Sequence, residues 1–151
     1  MTQEQKDLLL KDLCGRLPHG VKCQVQEDEF TYIGTLCRIE VDGKNGNLLD
    51  FAESISGLDC QVYLSEVKPY LFPLSSMTRK QREEFVKFAD YEPRLEDCGK
   101  HQELYYYDLV GHENNLYPNS DAIDWLDKNL FDYRGLIPMD LANDATGLNI
   151  Y

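Results

Sequence analysis

The stretch VKPYLFPLSSMT, from Val67 to Thr78, constrains this chain more than any other. Pro69 and Pro73 each remove a backbone donor and hold φ near about −65°, which predicts that neither a long helix nor a central strand crosses it. Tyr70, Leu71, Phe72 and Leu74 make it too apolar for a solvated linker. The segment therefore belongs against a seam. Alternating, strand-like patterns precede it and helical periodicity follows it.

Upstream, Thr2-Gln3-Glu4-Gln5 forms a capping box, and Leu9, Leu10, Leu13, Cys14 and Leu17 recur at helical spacing. This predicts a helix over residues 3–14, ended by Gly15 and Pro18. Val21, Cys23 and Val25 alternate with polar residues, as in a half-buried strand. After the acidic turn Glu27-Asp28-Glu29, a longer strand places Ile33, Cys37, Ile39 and Val41 on its apolar side and Tyr32, Arg38 and Glu40 on the other. Asp42-Gly43 and Asn45-Gly46 suit a hairpin. Leu49 and Phe51 mark a third strand, and Cys60, Val62 and Leu64 a fourth. A turn at Ser65-Glu66-Val67 leads into a short extended piece at Tyr70–Phe72, an element order found in small SH3-like barrels.

Downstream, Thr78-Arg79-Lys80-Gln81 is a second capping box, opening a helix with Phe85, Phe88 and Ala89 on its buried face. Residues 94–100 read as a loop, Tyr105-Tyr106-Tyr107 as a strand, and 111–119 as a loop. Ser120 or Asp121 caps a third helix with Ile123, Leu126 and Leu130 on one face. The tail from Asn143 is expected to fray. The expected fold is thus α+β in a single domain, 1–151. An N-terminal helix and a small antiparallel β-lobe, SH3-like in its element order, occupy 1–74, and an α-rich lobe occupies 75–151.

The net charge of −12 is unevenly spread. From His101 onward, Lys128 and Arg134 face nine acidic residues, whereas 65–100 is balanced. An acidic chain repels phosphate backbones, so direct nucleic-acid binding is disfavoured. No apolar run reaches the roughly 18–20 residues that span a bilayer, and no export signal is recognisable, which points to a cytoplasmic protein. The five cysteines are odd in number and widely spaced, so all are expected to be reduced thiols, with Cys23, Cys37 and Cys60 turned inward.

Chemical motifs are sparse. Cys98, His101 and His112 have spacing that a metal would accept but lack an evident fourth ligand. Cys14 and His19 are near in sequence, yet Cys14 falls on the apolar face of its helix and reads as packing. Ser75-Ser76 lacks the glycines of a nucleophile elbow, no phosphate-cradling glycine loop occurs, and Glu83-Glu84 reads as a solvated helix face. The expectation is no catalytic residue, no metal and no cofactor. Aromatic residues are abundant, and Tyr, Trp and Arg dominate interface hot spots. Tyr70, Phe72, Trp125, Tyr133 and Arg134 lie at element ends and are the candidate binding residues. The blocks around Tyr70 and Tyr133 are both apolar, so Tyr70 and Phe72 are expected to pack near Phe131 and Tyr133, with Arg134 bridging carboxylates or stacking on a tyrosine.

Three blocks, LLLKDLCGRLPHGVK (8–22), VKPYLFPLSSMT (67–78) and FDYRGLIPMDLA (131–142), resemble a group of small proteins of gut Bacteroidales that has no established activity and is often carried by prophages or other mobile elements. The resemblance carries over no catalytic residue and implies a bacterial or phage-encoded cytoplasmic accessory protein. Three functions are open at this point. The first is a non-enzymatic module that binds another protein. The second is an acidic decoy presenting aspartates in place of DNA phosphates. The third is a small hydrolase built on Cys or His.

Overall fold

The computed structural model describes residues 1–27, 29–42, 46–52, 62–89, 93–98, 101–107, 113–114 and 120–151. Expectations that fall on Cys60, His112 and the side chains of Cys98 and His101 lie outside the described part.

Helix α1 (Gln3–Arg16) starts as its capping box predicts: the Thr2 hydroxyl accepts from the Gln5 amide and the Gln5 side chain accepts from Thr2 N–H. It runs through Gly15 rather than ending there, and a 3-10 turn, Leu17–His19, ends at left-handed Gly20. Leu9 and Leu13 are fully buried, but Cys14 is exposed, so its assignment to the packed face is corrected. Strands β1 (Lys22–Glu27) and β2 (Phe30–Asp42) form an antiparallel hairpin, with Val21, Cys23 and Val25 buried as the alternation predicts.

The phase expected for β2 is half wrong. Tyr32 and Leu36 turn inward, while Ile33 and Cys37 are exposed. The cause is a register shift between Leu36 and Arg38 against β3 (Gly46–Phe51), an irregularity that reverses the side-chain parity. Beyond it Ile39 packs on the core opposite Leu49, as predicted, and Val41 overhangs into solvent. A two-residue β4 (Val62–Tyr63) pairs with β3, and a 3-10 turn, Leu64–Glu66, buries Leu64.

The proline-bearing stretch becomes β5 (Val67–Pro73), and it is central, contrary to the expectation from its prolines. It pairs antiparallel with β1 over Val67, Lys68 and Pro69, and in parallel with β9 (Phe131–Asp132) and β10 (Asn143–Asp144). The prolines sit where the ladder tolerates them. Pro69 is the last residue β5 shares with β1, and Pro73 is the last of the strand. Residues 131–145 are therefore woven into the sheet, and the tail expected to fray instead buries Ala145, whose N–H donates to Leu71 O at 2.8 Å.

After β5, α2 (Arg79–Ala89) opens with the expected Thr78–Gln81 box. Phe85 is fully buried, but Phe88 is exposed, which corrects its assignment to the packed face. The segment expected to be a loop contains β6 (Pro93–Cys98), which joins β7 (His101–Tyr107) and β8 (Glu113–Asn114) in a second, antiparallel sheet. Helix α3 (Ser120–Lys128) buries Ala122, Trp125, Leu126 and Asp127, with Ile123 only half-buried. Leu130 follows with φ 59°, a left-handed conformation unusual for leucine, held by its buried side chain and by its carbonyl, which accepts from Phe72 N–H.

Two core clusters result. One lies between α1 and the main sheet, around Leu9, Leu13, Cys23, Leu36 and Leu71; the other gathers Leu74, Phe85, Trp125, Leu126 and Phe131. Residues 67–78 run from one cluster to the other, and Phe72 packs against both. Removing Leu13 opens a void beneath the sheet. We predict that Leu13→Ala lowers unfolding free energy by about 2–5 kcal/mol in urea melts; a change within about 0.5 kcal/mol makes α1 peripheral.

Candidate functional site

The residues singled out by sequence divide between the interior and one face of the sheet. Trp125 is in the core, stacked on Phe131 at 5.8 Å and tilted against Phe85 at 5.3 Å, so it is not available as a surface contact. Phe72 meets Phe131, with ring centroids 6.4 Å apart, which is the contact expected between the two aromatic blocks. Tyr133 and Arg134 are half-buried and belong to an ionic cluster that sequence reasoning missed.

That cluster joins α1, α3 and the segment after β9. Arg16 and Asp12 are fully buried one helical turn apart, with Arg16 Nε 2.7 Å and Nη2 3.0 Å from the two Asp12 oxygens. Arg16 Nη2 also donates to Phe131 O at 2.8 Å and approaches Asp127 Oδ1 at 3.6 Å. Arg134 Nη1 reaches Asp12 at 3.6 Å, its guanidinium lies 4.4 Å from the centroid of the Tyr133 ring, and Nη1 contacts the Tyr133 hydroxyl. Both expected roles of Arg134, bridging a carboxylate and stacking on a tyrosine, are realised. Asp132 accepts Leu136 and Ile137 N–H, each at 2.8 Å, and so shapes the turn that carries Arg134.

The electrostatics follow from burial. Three carboxylates, Asp12, Asp127 and Asp132, face two guanidinium groups, leaving one negative charge in surplus. Desolvation pushes the carboxyl pKa of Asp127 and of Asp132 upward, against the pull of Arg16 and Arg134 on Asp127 and of two backbone N–H groups on Asp132. Burial works against the charge on Arg16, but Asp12, Asp127 and Tyr133 outweigh it and raise its pKa. Desolvation likewise raises the Tyr133 phenol. Gly15 lets α3 approach: a Cβ there would stand 2.5 Å from Asp127 Oδ2. The available signal is the spacing of 9, 12, 13 and 16, which share one helical face; two of the four are charged, and charged side chains are almost never fully buried unless paired.

The second arrangement is on the sheet. Along β5, Val67, Pro69 and Leu71 turn to the α1 side, so Lys68 and Tyr70 face outward, and Phe72, on the same side, is half-buried against Phe131. Gln24 and Ile33 lie opposite one another on that outward face, as do Leu48 and Tyr63, and Ile33 and Tyr63 remain 43% and 50% exposed. Where β5 and β1 part after Pro69, the Tyr151 hydroxyl takes up the gap: it accepts from Lys22 N–H at 3.0 Å and donates to Tyr70 O at 2.8 Å. The Tyr151 ring lies 5.9 Å from that of Phe72. Desolvation raises the Tyr151 phenol pKa. Sequence reasoning missed Tyr151, since no local pattern ties it to residues so distant along the chain.

Among the described residues no group of His, Cys, Asp and Glu is arranged to hold a metal, and no helix is long and apolar enough to cross a membrane. Glu83 is exposed and pairs with Arg79 at 2.9 Å. Comparison with family models, with curated proteins and with solved structures found no match to this chain.

The ionic cluster generates a prediction with two arms. Arg16→Met strands Asp12 in the core and costs about 3–5 kcal/mol, whereas adding Asp12→Leu recovers most of that loss; a double variant no better than the single one refutes the pairing. For pH, a raised carboxyl pKa contributes stability that is complete below the unfolded value of about 4 and is lost as pH rises through the folded value. Asp127→Asn should therefore flatten the fall of unfolding free energy with pH above about 4.

Proposed function

We propose that this chain is a non-enzymatic accessory module that binds another protein through the outward face of its main sheet. The observation that carries the reading is the set of apolar side chains on that face, with Ile33 on β2 and Tyr63 on β4 about half exposed and Tyr70 on β5 half-buried. A solvated sheet face needs no such residues, and aromatic side chains supply large contact area at interfaces. Arg134, Tyr133 and Trp125 serve the module from within by fixing the segment that supplies β9. The likeness of its three blocks to proteins of mobile elements of Bacteroidales fits a cytoplasmic accessory role.

The test is retention of host proteins on the immobilised chain, wild type against Ile33→Glu/Tyr63→Glu, with unfolding measured in parallel. Both positions are solvent-exposed, so stability should change by no more than about 0.5 kcal/mol per site. A partner held by the wild type and lost from the double variant supports the sheet face. A partner held equally by both, and released by salt, moves the reading to the acidic decoy, whose attraction rests on screened charge.

A further inference from the structure

The outward side of β5 near Tyr70 is already partly covered by the chain itself. The residues Asn143-Asp144-Ala145-Thr146-Gly147-Leu148 encode a reversal. Asp144 Oδ1 accepts Thr146 N–H at 2.7 Å, Leu148 N–H donates to Ala145 O at 3.1 Å, and Gly147 adopts φ 76°. The backbone at Gly147 is open around its Cβ position, so the glycine answers the left-handed conformation and not a crowded neighbour. The turn sends the chain from β10, on one edge of β5, back to the β1–β5 gap on the other side of that strand. Thr146 to Asn149 are exposed, while the Tyr151 hydroxyl is anchored between Lys22 and Tyr70 and its ring rests against Phe72.

We propose that residues 146–151 are a displaceable strap, and that the seam it closes is the recognition site for an extended, tyrosine-bearing segment of a partner protein. This rests on the reading of the outward sheet face as the binding surface and names both its regulation and its ligand. The chemistry selects tyrosine. The seam presents one backbone donor, Lys22 N–H, and a near backbone acceptor, Tyr70 O at 2.8 Å, with Lys22 O a more distant one at 3.4 Å, at the point where Pro69 has ended the ladder. A phenolic hydroxyl satisfies both at once. Phenylalanine offers neither group, tryptophan only donates, and serine and threonine lack the ring that meets Phe72. An incoming tyrosine would replace Tyr151 bond for bond, and the exposed residues 146–149 leave the rest of the segment room to lie along the surface that the strap covers.

The test uses the full chain, its Tyr151→Ala and Gly147→Val variants, and the synthetic peptide TGLNIY with TGLNIF as control. Hydrogen exchange of the Lys22 amide should accelerate on the order of tenfold in Tyr151→Ala, and also in Gly147→Val, while that of Leu36, bonded to Val21 O, stays unchanged. TGLNIY should restore Lys22 protection in Tyr151→Ala and leave the wild type unaffected; TGLNIF should do neither. Unchanged Lys22 exchange in both variants, no rescue by TGLNIY at millimolar concentration, equal rescue by TGLNIF, or equal binding to the wild type each overturns the proposal. A concentration-dependent dimer that protects Lys22 replaces the partner segment with the strap of a second copy and overturns it as well. If Ile33→Glu/Tyr63→Glu still abolishes partner capture while the strap variants behave as wild type, only the strap fails and the sheet-face reading stands.

Discussion

The bidentate pair between Arg16 and Asp12 is the interaction on which the remaining architecture leans. Both groups are withdrawn from water, and breaking such a pair would leave an uncompensated buried charge. Arg16 Nη2 carries the link across the fold, donating to the carbonyl of Phe131 and approaching Asp127, so α1 is tied to α3 and to β9, while Nη1 is buried without a hydrogen-bond partner among the described residues. Phe131 in turn pairs alongside Phe72 and stacks on Trp125, which links the ionic cluster to the second hydrophobic cluster. Gly15 is the steric counterpart, because the absence of a side chain there leaves room for the Asp127 carboxylate. Polar chemistry in this chain fixes orientation between elements that hydrophobic burial alone would leave free to slide.

Much of the local structure was legible in the residues. The Thr2 and Thr78 capping boxes start their helices because the reciprocal bonds need only a four-residue pattern. The inward set Val21, Cys23 and Val25 follows from alternation. What failed were inferences needing non-local information. The irregularity at Cys37 reversed the parity of the first half of β2, and nothing in the strand announces it. The prolines of β5 argued against a central strand, yet one falls where the pairing with β1 ends and the other where the strand itself ends. Asp12 and Arg16 drew no expectation, because charge is usually outside; only their sharing a face with Leu9 and Leu13 marks them. Of the candidate binding residues, Tyr70 stands on the outward side of the sheet, whereas Phe72 is half-buried against both core clusters and Trp125 is enclosed. The distant bond from Tyr151 to Tyr70 was beyond any local pattern.

The two sites divide the labour of the molecule. The ionic cluster is enclosed and its members answer one another, so its chemistry is directed inward, towards holding α1, α3 and the 131–137 turn in one arrangement. The outward sheet face combines apolar side chains with the charged pairs Arg38–Glu40 and Lys68–Asp140, which are solvent-accessible and contribute little to stability. A surface of that kind offers contact area from the aromatic and aliphatic groups and discrimination from the charges.

The weaving of β9 and β10 into the sheet also has a consequence in time. β5 holds residues 67–73, but its parallel partners begin only at Phe131. During synthesis at about 5–20 residues per second, that strand waits on the order of 3–15 s with one flank unpaired. For that interval an apolar strand with free backbone donors and acceptors is displayed by an otherwise half-formed sheet, the kind of edge on which chains associate wrongly. The nascent chain is therefore at its most chaperone-dependent in the span between Pro73 and Ala145, and parallel closure of the sheet, with its large loop, is the step that ends the exposure.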